Sequence, residues 1–337
     1  MSEQLSWRAP RALARLLTAI ENGAPEALAQ VQTLYRQTAH RAHIVGITGV
    51  PGGGKSTLVA ALTRALREQS RTVAVLSVDP SSPFTRGAIL GDRIRMRGIS
   101  GDPGVFIRSL ASRSAPGGIA AATADMVTAL DAAGFDVIFV ETVGAGQDDV
   151  AIARLAETVV VVEAPGLGDD IQAIKAGLIE IADILVVNKA DLPDAQRTAQ
   201  NLAAALALGF ETQGHHGPSL ASSPQAGAPS GRAGWRVPVL LTSAAHDQGV
   251  AALIDALQQH RAWLETSEEG KHRRLRQAEA EIRARLYAQL MRAALAHIEH
   301  GALERWAAQC AQHRAHPEEA ARALLQAILP KLCSSST

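Results

Sequence analysis

Cysteine is scarce in this chain of 337 residues, which contains only Cys310 and Cys333. Two cysteines near the C-terminal end cannot build a disulfide framework, and such scarcity is typical of a reducing compartment. Aromatic residues make up only 3% of the chain, so we expect a core of aliphatic residues and alanine. Net charge is absent too, because 33 basic residues balance 33 acidic ones. This balance argues against broad, unspecific binding of nucleic acid but leaves room for a local basic patch.

Long hydrophobic runs are also missing. The valine run at residues 159–162, for example, lies between Glu157 and Glu163, whereas a membrane-spanning helix needs about 20 apolar residues. Residues 1–10 are polar and lack the apolar segment of a signal peptide. We therefore expect a cytoplasmic protein with no membrane partner and no nucleic-acid partner. The length of 337 residues suggests one large domain with appendages or two domains, and a hydrophobic content of 47% is enough for a sizeable core.

Short apolar runs alternate with helical patterns through the middle of the chain. The alternation predicts an α/β fold in which a mostly parallel sheet is covered by helices on both faces. The predicted strands are residues 43–48, 72–78, 136–141, 158–163, 183–188 and 237–242. The predicted helices between them are residues 56–67, 118–132, 148–156, 170–181 and 194–208. Residues 8–40 and the chain after Asp247 are predicted to be helical as well.

A glycine-rich turn follows the first predicted strand. Its sequence, GVPGGGKS, matches the pattern G-x-x-x-x-G-K-[ST] between a strand and a helix. Glycines let backbone N–H groups converge on phosphate oxygens, and the N-terminus of the following helix adds positive potential. We predict that Lys55 reaches the β- and γ-phosphates of a nucleotide and that the Ser56 hydroxyl binds Mg²⁺. The predicted nucleotide-binding residues of this turn are Gly49, Gly52, Gly53, Gly54, Lys55, Ser56 and Thr57.

A second motif, NKAD, indicates which base the nucleotide carries, and it follows an apolar strand. The Asp191 carboxylate can accept hydrogen bonds from N1–H and the 2-amino group of guanine, whereas adenine would leave it unpaired. We expect Asn188 to hold the edge of the base and the stem of Lys189 to lie against its face. The weaker loop that also contacts guanine is predicted at Ser243 and Ala244.

Acidic residues near the ends of predicted strands are candidates for metal binding and hydrolysis. The sequence ETVG follows the pattern of a switch loop, in which Glu141 reaches a Mg²⁺-bound water and the N–H of Gly144 binds the γ-phosphate. Asp79 and Asp92 are further Mg²⁺ candidates. The next residue is Ala145 rather than a water-orienting glutamine, so we predict slow hydrolysis by the isolated protein and stimulation by a partner. The catalytic candidates are Lys55, Glu141 and Gly144.

Four longer segments carry a resemblance to a known family. They are GITGVPGGGKST, VDPSSPFTRGAILGDRIRM, FDVIFVETVGAGQ and APGLGDDIQAIKAGLIEIADILVVNKADL. Together they resemble the MeaB/ArgK-type GTPases, metallochaperones associated with methylmalonyl-CoA mutase and related cobalamin-dependent acyl-CoA mutases. The resemblance is dense over residues 44–191 and weaker over residues 237–264.

The resemblance implies a P-loop NTPase fold that binds GTP or GDP with Mg²⁺. Family members are homodimers through C-terminal helices, a role that residues 273–300 suit. They gate delivery of adenosylcobalamin to the mutase and protect or reactivate it. The residues that the resemblance links to the metal are Ser56, Asp79, Asp92 and Glu141. It also implies an additional switch loop, which relays the nucleotide state to the mutase and includes Gly166, Asp169 and Lys175.

The expected domain organisation has three parts. An N-terminal helical extension covers residues 1–42, a P-loop G domain residues 43–265, and a C-terminal helical dimerisation region residues 266–337. Residues 213–234, rich in Gly, Pro, Ser and Ala, are predicted to be a flexible insertion with no counterpart in the family. The sequence has no D-x-H-x-x-G cobalamin motif, so the corrinoid is expected on a mutase that acts in trans. Methylmalonyl-, isobutyryl-, 2-hydroxyisobutyryl- and ethylmalonyl-CoA mutases all remain open.

Three other functions are alternatives. A nickel or cobalt insertase GTPase would need a histidine-rich N-terminus or a cysteine-containing metal motif, and the sequence has neither. A kinase of an arginine or ornithine transport system would use ATP, which the NKAD motif argues against. A nucleotide-gated scaffold without useful hydrolysis is the third alternative, and single-turnover GTP assays with and without a mutase would distinguish it from a chaperone GTPase.

Overall fold

A parallel sheet lies at the centre of the protein. The computed structural model describes residues 10–37, 41–80, 99, 101–112, 118–142, 152, 154–166, 176–212 and 234–334. Its strands are β1 (His43–Gly49), β2 (Val73–Pro80), β3 (Val105–Ser112), β4 (Val137–Thr142), β5 (Thr158–Glu163), β6 (Ile184–Val187) and β7 (Val239–Leu241). In this described part the sheet has the order β3-β2-β4-β1-β5-β6-β7, with every neighbouring pair parallel. The predicted α/β fold is confirmed.

Helices precede, connect and follow the strands. They are α1 (Pro10–Glu21), α2 (Pro25–Gln37), α3 (Lys55–Glu68), α4 (Gly118–Ala133), α5 (Ala176–Ile181), α6 (Ala195–Thr212), α7 (Val250–Thr266), α8 (Glu268–His297), α9 (Ala302–Ala311) and α10 (Pro317–Ser334). Most of the predicted helix at 148–156 lies outside the described residues, as do residues 170–175 of the next helix and residues 213–233 of the predicted insertion. Among the described helices, none is long and apolar enough to cross a bilayer.

The core consists of two apolar layers, one on each face of the sheet. Because side chains alternate along a strand, Ala74 and Leu76 of β2 face one layer, whereas Val73 and Val75 face the other. The first layer is closed by α1, α2, α4 and α6, and the second by α3 and α7. Strands buried on both faces carry continuous apolar runs, which is why the five inner strands were predictable from the sequence. Strand β7, the other edge of the described sheet, is only partly buried but keeps a short apolar run, Val239–Leu241, and was predicted as well.

Strand β3 was not among the predicted strands. Among the described strands it pairs with β2 only, and it forms one edge of the sheet that they make. Arg108 interrupts its apolar pattern and turns to α1, where it contacts Glu21 at 2.5 Å and Thr18 at 3.1 Å. An edge strand that is half-covered by a polar helix face does not need an unbroken apolar run, so the pattern that identified the central strands is missing.

A buried polar network lies at the N-terminal ends of the strands, opposite the ends that carry the glycine-rich turn. His43 Nε2 and His260 Nδ1 are each 2.8 Å from the hydroxyl of Thr158. Asp183, fully buried, lies 3.4 Å from His260 and accepts two hydrogen bonds of 2.9 Å from the guanidinium of Arg273. Because Arg273 belongs to α8, this ion pair attaches the long C-terminal helix to the sheet at the N-terminal end of β6.

Candidate nucleotide-binding site

The turn between β1 and α3 has a backbone that requires glycine. Gly49 has φ +133° and Gly54 has φ +85°, values that L side chains rarely adopt. A Cβ on Gly49 would lie 2.0 Å from the carbonyl oxygen of Val162, and that carbonyl accepts a hydrogen bond of 3.1 Å from the N–H of Val50. The turn is therefore seated against the end of β5, and α3 begins directly after it, as the phosphate-binding pattern predicts.

Lys55, the first residue of α3, lies under this turn. Its side chain is buried, and Nζ donates to the carbonyl oxygens of Gly49 at 2.9 Å and Val50 at 3.0 Å. The residue that caps α3 is Gly54, which has no side chain to cover the first N–H groups of the helix. A buried ammonium and the positive end of a helix thus face the same turn, an arrangement that suits an anion such as phosphate.

Ser56 and Glu141 meet beside the turn. Ser56 Oγ donates to Glu141 Oε1 at 2.6 Å, and both residues are buried. Adjacent to Glu141 in the register is Ser77 of β2, and Asp79 stands two residues further along that strand. Hydroxyl and carboxylate oxygens are ligands that Mg²⁺ prefers, so the donor set at this edge fits that ion.

Only some of the remaining predicted switch and metal residues lie in the part of the chain that the structure describes. Gly166 lies in an exposed turn after β5 with φ +73°. Four other residues lie outside the described part of the chain, and their predicted roles stay predictions: Asp92, Gly144, Asp169 and Lys175. The side chain of Asp79 is outside it as well.

Asn188 joins the glycine-rich turn to the loop after β7. Its Nδ2 donates to the carbonyl oxygen of Gly53 at 2.9 Å, and its Oδ1 accepts from Thr242 Oγ1 and from the N–H of Ala244, both at 3.1 Å. A Cβ on Gly54 would lie 2.5 Å from the same Nδ2, so glycine is also required for this approach. The buried amide of Asn188 therefore aligns three loops, a role that the sequence motif by itself did not indicate.

Asp191 lies next to Ser243 in the same group of loops. Ser243 Oγ donates a short hydrogen bond to Asp191 Oδ1. This bond, the backbone N–H of Asp191 and the nearby His246 and Lys189 hold the pKa of the Asp191 carboxyl below its ordinary value. The backbone of Lys189 has φ +58°, and the N–H of the following residue donates to the carbonyl of Thr242 at 2.9 Å. The result is an ionised acceptor at the edge of the sheet where the turn also lies.

Glu163 is a buried acid that the sequence analysis used only as the end of an apolar run. Its Oε1 accepts from the N–H of Ala164 at 3.2 Å, and its Oε2 has no hydrogen-bond donor among the described residues. Burial raises the pKa of this carboxyl, while the backbone bond and the charge of Lys55 act in the opposite direction. The backbone carbonyl of Glu163 accepts from the N–H of Asn188 at 2.8 Å. An acidic residue that ends a strand between two motif-bearing strands is the signal that could have identified it.

Comparisons with known proteins agree with the motifs. A family model described as methylmalonyl-CoA mutase-associated GTPase MeaB matches residues 13–299. A protein of Pyrococcus abyssi that is named as a GTPase is 44% identical over 319 residues, which are 95% of this chain and 93% of its own. GTPase ArgK of Escherichia coli is 44% identical over 147 residues, 44% of each chain. The mitochondrial methylmalonic aciduria type A homolog of mouse is 38% identical over 165 residues, 49% of this chain and 40% of its own.

A solved structure shares the fold. The crystal structure of LAO/AO transport system kinase matches with a TM-score of 0.56 over 94% of this chain and 98% of its own, at 23% sequence identity. Similarity at this level of identity shows the P-loop fold with its parallel sheet. The relatives from Pyrococcus abyssi and Escherichia coli, in contrast, are named GTPases, which agrees with the enzyme class predicted from the NKAD motif and the glycine-rich turn.

Proposed function

The chain belongs to the MeaB family of methylmalonyl-CoA mutase-associated GTPases, and from this premise we propose that it binds and hydrolyses GTP to serve a cobalamin-dependent acyl-CoA mutase. One observation carries the nucleotide part of the proposal. The buried amide of Asn188 joins the turn that holds Lys55 to the loop whose Ser243 bonds Asp191. Groups for phosphate and for guanine are thus held in one frame at the carboxyl edge of a parallel sheet, where such folds bind ligands.

Each residue has a role that its contacts support. Lys55 would exchange its two backbone carbonyls for phosphate oxygens, which bind an ammonium more strongly because they are charged. Asp191 would accept hydrogen bonds from N1–H and the 2-amino group of guanine. Ser56 and Glu141, together with Asp79, would hold Mg²⁺, and the ion would neutralise charge on the phosphates during transfer to water.

Slow hydrolysis and stimulation by a partner remain part of the proposal. Ala145 stands at the sequence position where a small signalling GTPase has a water-orienting glutamine, so we expect slow hydrolysis without a partner. A GTPase that is slow alone suits a chaperone, because its nucleotide state then reports whether the partner is bound. We propose that the mutase is this partner and that the nucleotide state gates loading of adenosylcobalamin, which is bound by the mutase and not by this chain.

A homodimer through the C-terminal helices is the second partner proposal. Helix α8 exposes large apolar side chains along its length, each about half exposed or more: Leu275, Ile282, Leu286, Tyr287, Leu290, Met291 and Leu295. Apolar residues at four-residue spacing on one long helix form a continuous surface that favours a partner helix. A second copy of the chain, as the family resemblance implies, is the partner that we propose.

The test combines GTP turnover with binding to mutases. The purified protein is assayed for GTP hydrolysis alone and with each candidate acyl-CoA mutase, and complex formation is measured by size-exclusion chromatography. We expect turnover to rise at least about tenfold with the cognate mutase, and Lys55→Ala to abolish turnover while the complex still forms. A high turnover of the isolated protein, or no response to any candidate mutase, would contradict the proposal. A preference for ATP would favour the transport-kinase alternative.

A further inference from the structure

Beside the predicted guanine-binding loops lies an imidazole that the proposed function does not use. The Nδ1 of His246 is 2.9 Å from Ser243 Oγ and 3.9 Å from Asp191 Oδ1. Ser243 Oγ is itself hydrogen-bonded to Asp191 Oδ1. The three side chains therefore form a short chain of hydrogen bonds that ends on the carboxylate of the NKAD motif.

The number of protons fixes the direction of these hydrogen bonds. The Ser243 hydroxyl has one proton to donate, and the ionised carboxylate of Asp191 can only accept. Ser243 therefore donates to Asp191, and its oxygen is left to accept from the ring nitrogen of His246. The imidazole must accordingly carry a proton on Nδ1, which holds for its Nδ1–H tautomer and for the charged ring alike.

The loop that carries His246 is held by its own backbone. His246 ends a 3-10 turn, in which residues three apart lie one above the other, and its N–H donates to the carbonyl of Ser243 at 3.0 Å. Ser243 and Gln248 exchange two backbone hydrogen bonds of 3.0 and 3.1 Å. An ion pair of 2.7 Å between Arg64 of α3 and Asp247 attaches the loop to the helix that starts at the glycine-rich turn. The imidazole is thus kept beside Ser243 by the fold.

We propose that His246 is a positioning residue for guanine recognition. By donating to Ser243, it fixes the hydroxyl proton toward Asp191 and so anchors one oxygen of the carboxylate. An anchored carboxylate presents its remaining acceptor positions in one orientation, which favours simultaneous bonds to N1–H and the 2-amino group. His246 acts through Ser243 and needs no contact with the nucleotide. The inference rests on the proposed function, because it requires that Asp191 accepts from guanine.

The test uses nucleotides that differ at the 2-amino group. GDP, IDP, which lacks this group, and ADP are titrated into the wild-type chain and its variants by calorimetry. We expect His246→Leu to bind GDP about three- to tenfold more weakly, the effect of one net hydrogen bond, and to weaken the binding of IDP, which keeps N1–H but lacks the 2-amino group, by a smaller factor. His246→Asn retains an N–H donor near the position of Nδ1 and should restore the preference for GDP over IDP. A merely structural role would weaken GDP and IDP equally, and asparagine would give no rescue; this result would overturn the inference.

A double-mutant cycle gives a second, independent test. In a Ser243→Ala background the bridge to Asp191 is gone, so adding His246→Leu should change the GDP/IDP ratio no further, whereas additive effects would overturn the inference. The wild-type preference for GDP over ADP, and its loss in Asp191→Asn, are measured in the same series. If that preference is absent, the proposed function and this inference both fail. If it is present and His246→Leu matches the wild-type chain, only the inference fails.

Discussion

From the buried polar network around Thr158 we predict that the free energy of unfolding falls at acidic pH because His43 is buried in its neutral form. His43 opens β1, is almost fully buried, and lies 2.8 Å from the Thr158 hydroxyl. Burial, and to a lesser extent the charge of Arg261, lower the pKa of His43 from 6.5 to about 3. The ring therefore stays neutral in the folded protein at a pH where it is protonated in the unfolded chain.

The sign and size of the effect follow from this difference. Between pH 6.5 and about 3 the unfolded chain binds the extra proton, so the contribution of His43 to stability is complete above pH 6.5 and is lost progressively as the pH falls. At pH 5 the loss amounts to about 2 kcal/mol in the free energy of unfolding, since each pKa unit corresponds to about 1.4 kcal/mol.

The assay compares the wild-type chain with His43→Gln. Glutamine can place an amide near the Thr158 hydroxyl, but it does not titrate. Urea denaturation is followed at pH 7.5 and pH 5.0 by tryptophan fluorescence, because the ring of Trp235 lies 4.7 Å from that of His260 within the network. We expect the drop in the free energy of unfolding between these two pH values to be about 2 kcal/mol smaller in the variant. An equal drop in both proteins would refute the reasoning.

Two further predictions concern helix α8. Arg273→Ala leaves the fully buried Asp183 without its guanidinium, and we expect a loss of about 3 kcal/mol in the free energy of unfolding, measured by urea denaturation. Arg283→Ala is the matched control on the same helix, because it breaks only an exposed pair and should have little effect; equal losses would contradict the importance of the buried pair. Leu286→Glu combined with Leu290→Glu should convert the proposed dimer to a monomer in light scattering with the far-UV spectrum unchanged, and a persistent dimer would exclude this surface as the interface.

Most of the sheet could be predicted because its central strands are buried on both faces. The predicted strand at residues 136–141 is observed at Val137–Thr142, and the strand at 158–163 agrees with the structure residue for residue. Strand β3 could not be predicted, since Arg108 interrupts its apolar pattern in order to bind Glu21 of α1, a helix from a distant part of the chain. A partner so far away in sequence leaves no local periodicity.

The site was predictable where a motif fixes the backbone and less so where side chains meet across loops. The glycine-rich turn and the NKAD sequence each specify their own geometry locally. The contact of Asn188 with Gly53, and that of His246 with Ser243, depend on how the loops after β1, β6 and β7 come together at one edge of the sheet. Because the order of the strands is a property of the whole fold, these contacts could not be predicted from the sequence and were seen only in the structure.

The preference for guanine is the central claim, and exchanging its acceptor tests it most directly. Calorimetry of GDP, XDP and ADP is performed on the wild-type chain and on Asp191→Asn, whose amide can donate to the 2-oxo group of xanthine. We predict that the wild-type chain prefers GDP over ADP by at least about a hundredfold and that Asp191→Asn loses GDP and gains XDP. Comparable affinities of the wild-type chain for GDP and ADP, or an unchanged preference in Asp191→Asn, would contradict the account.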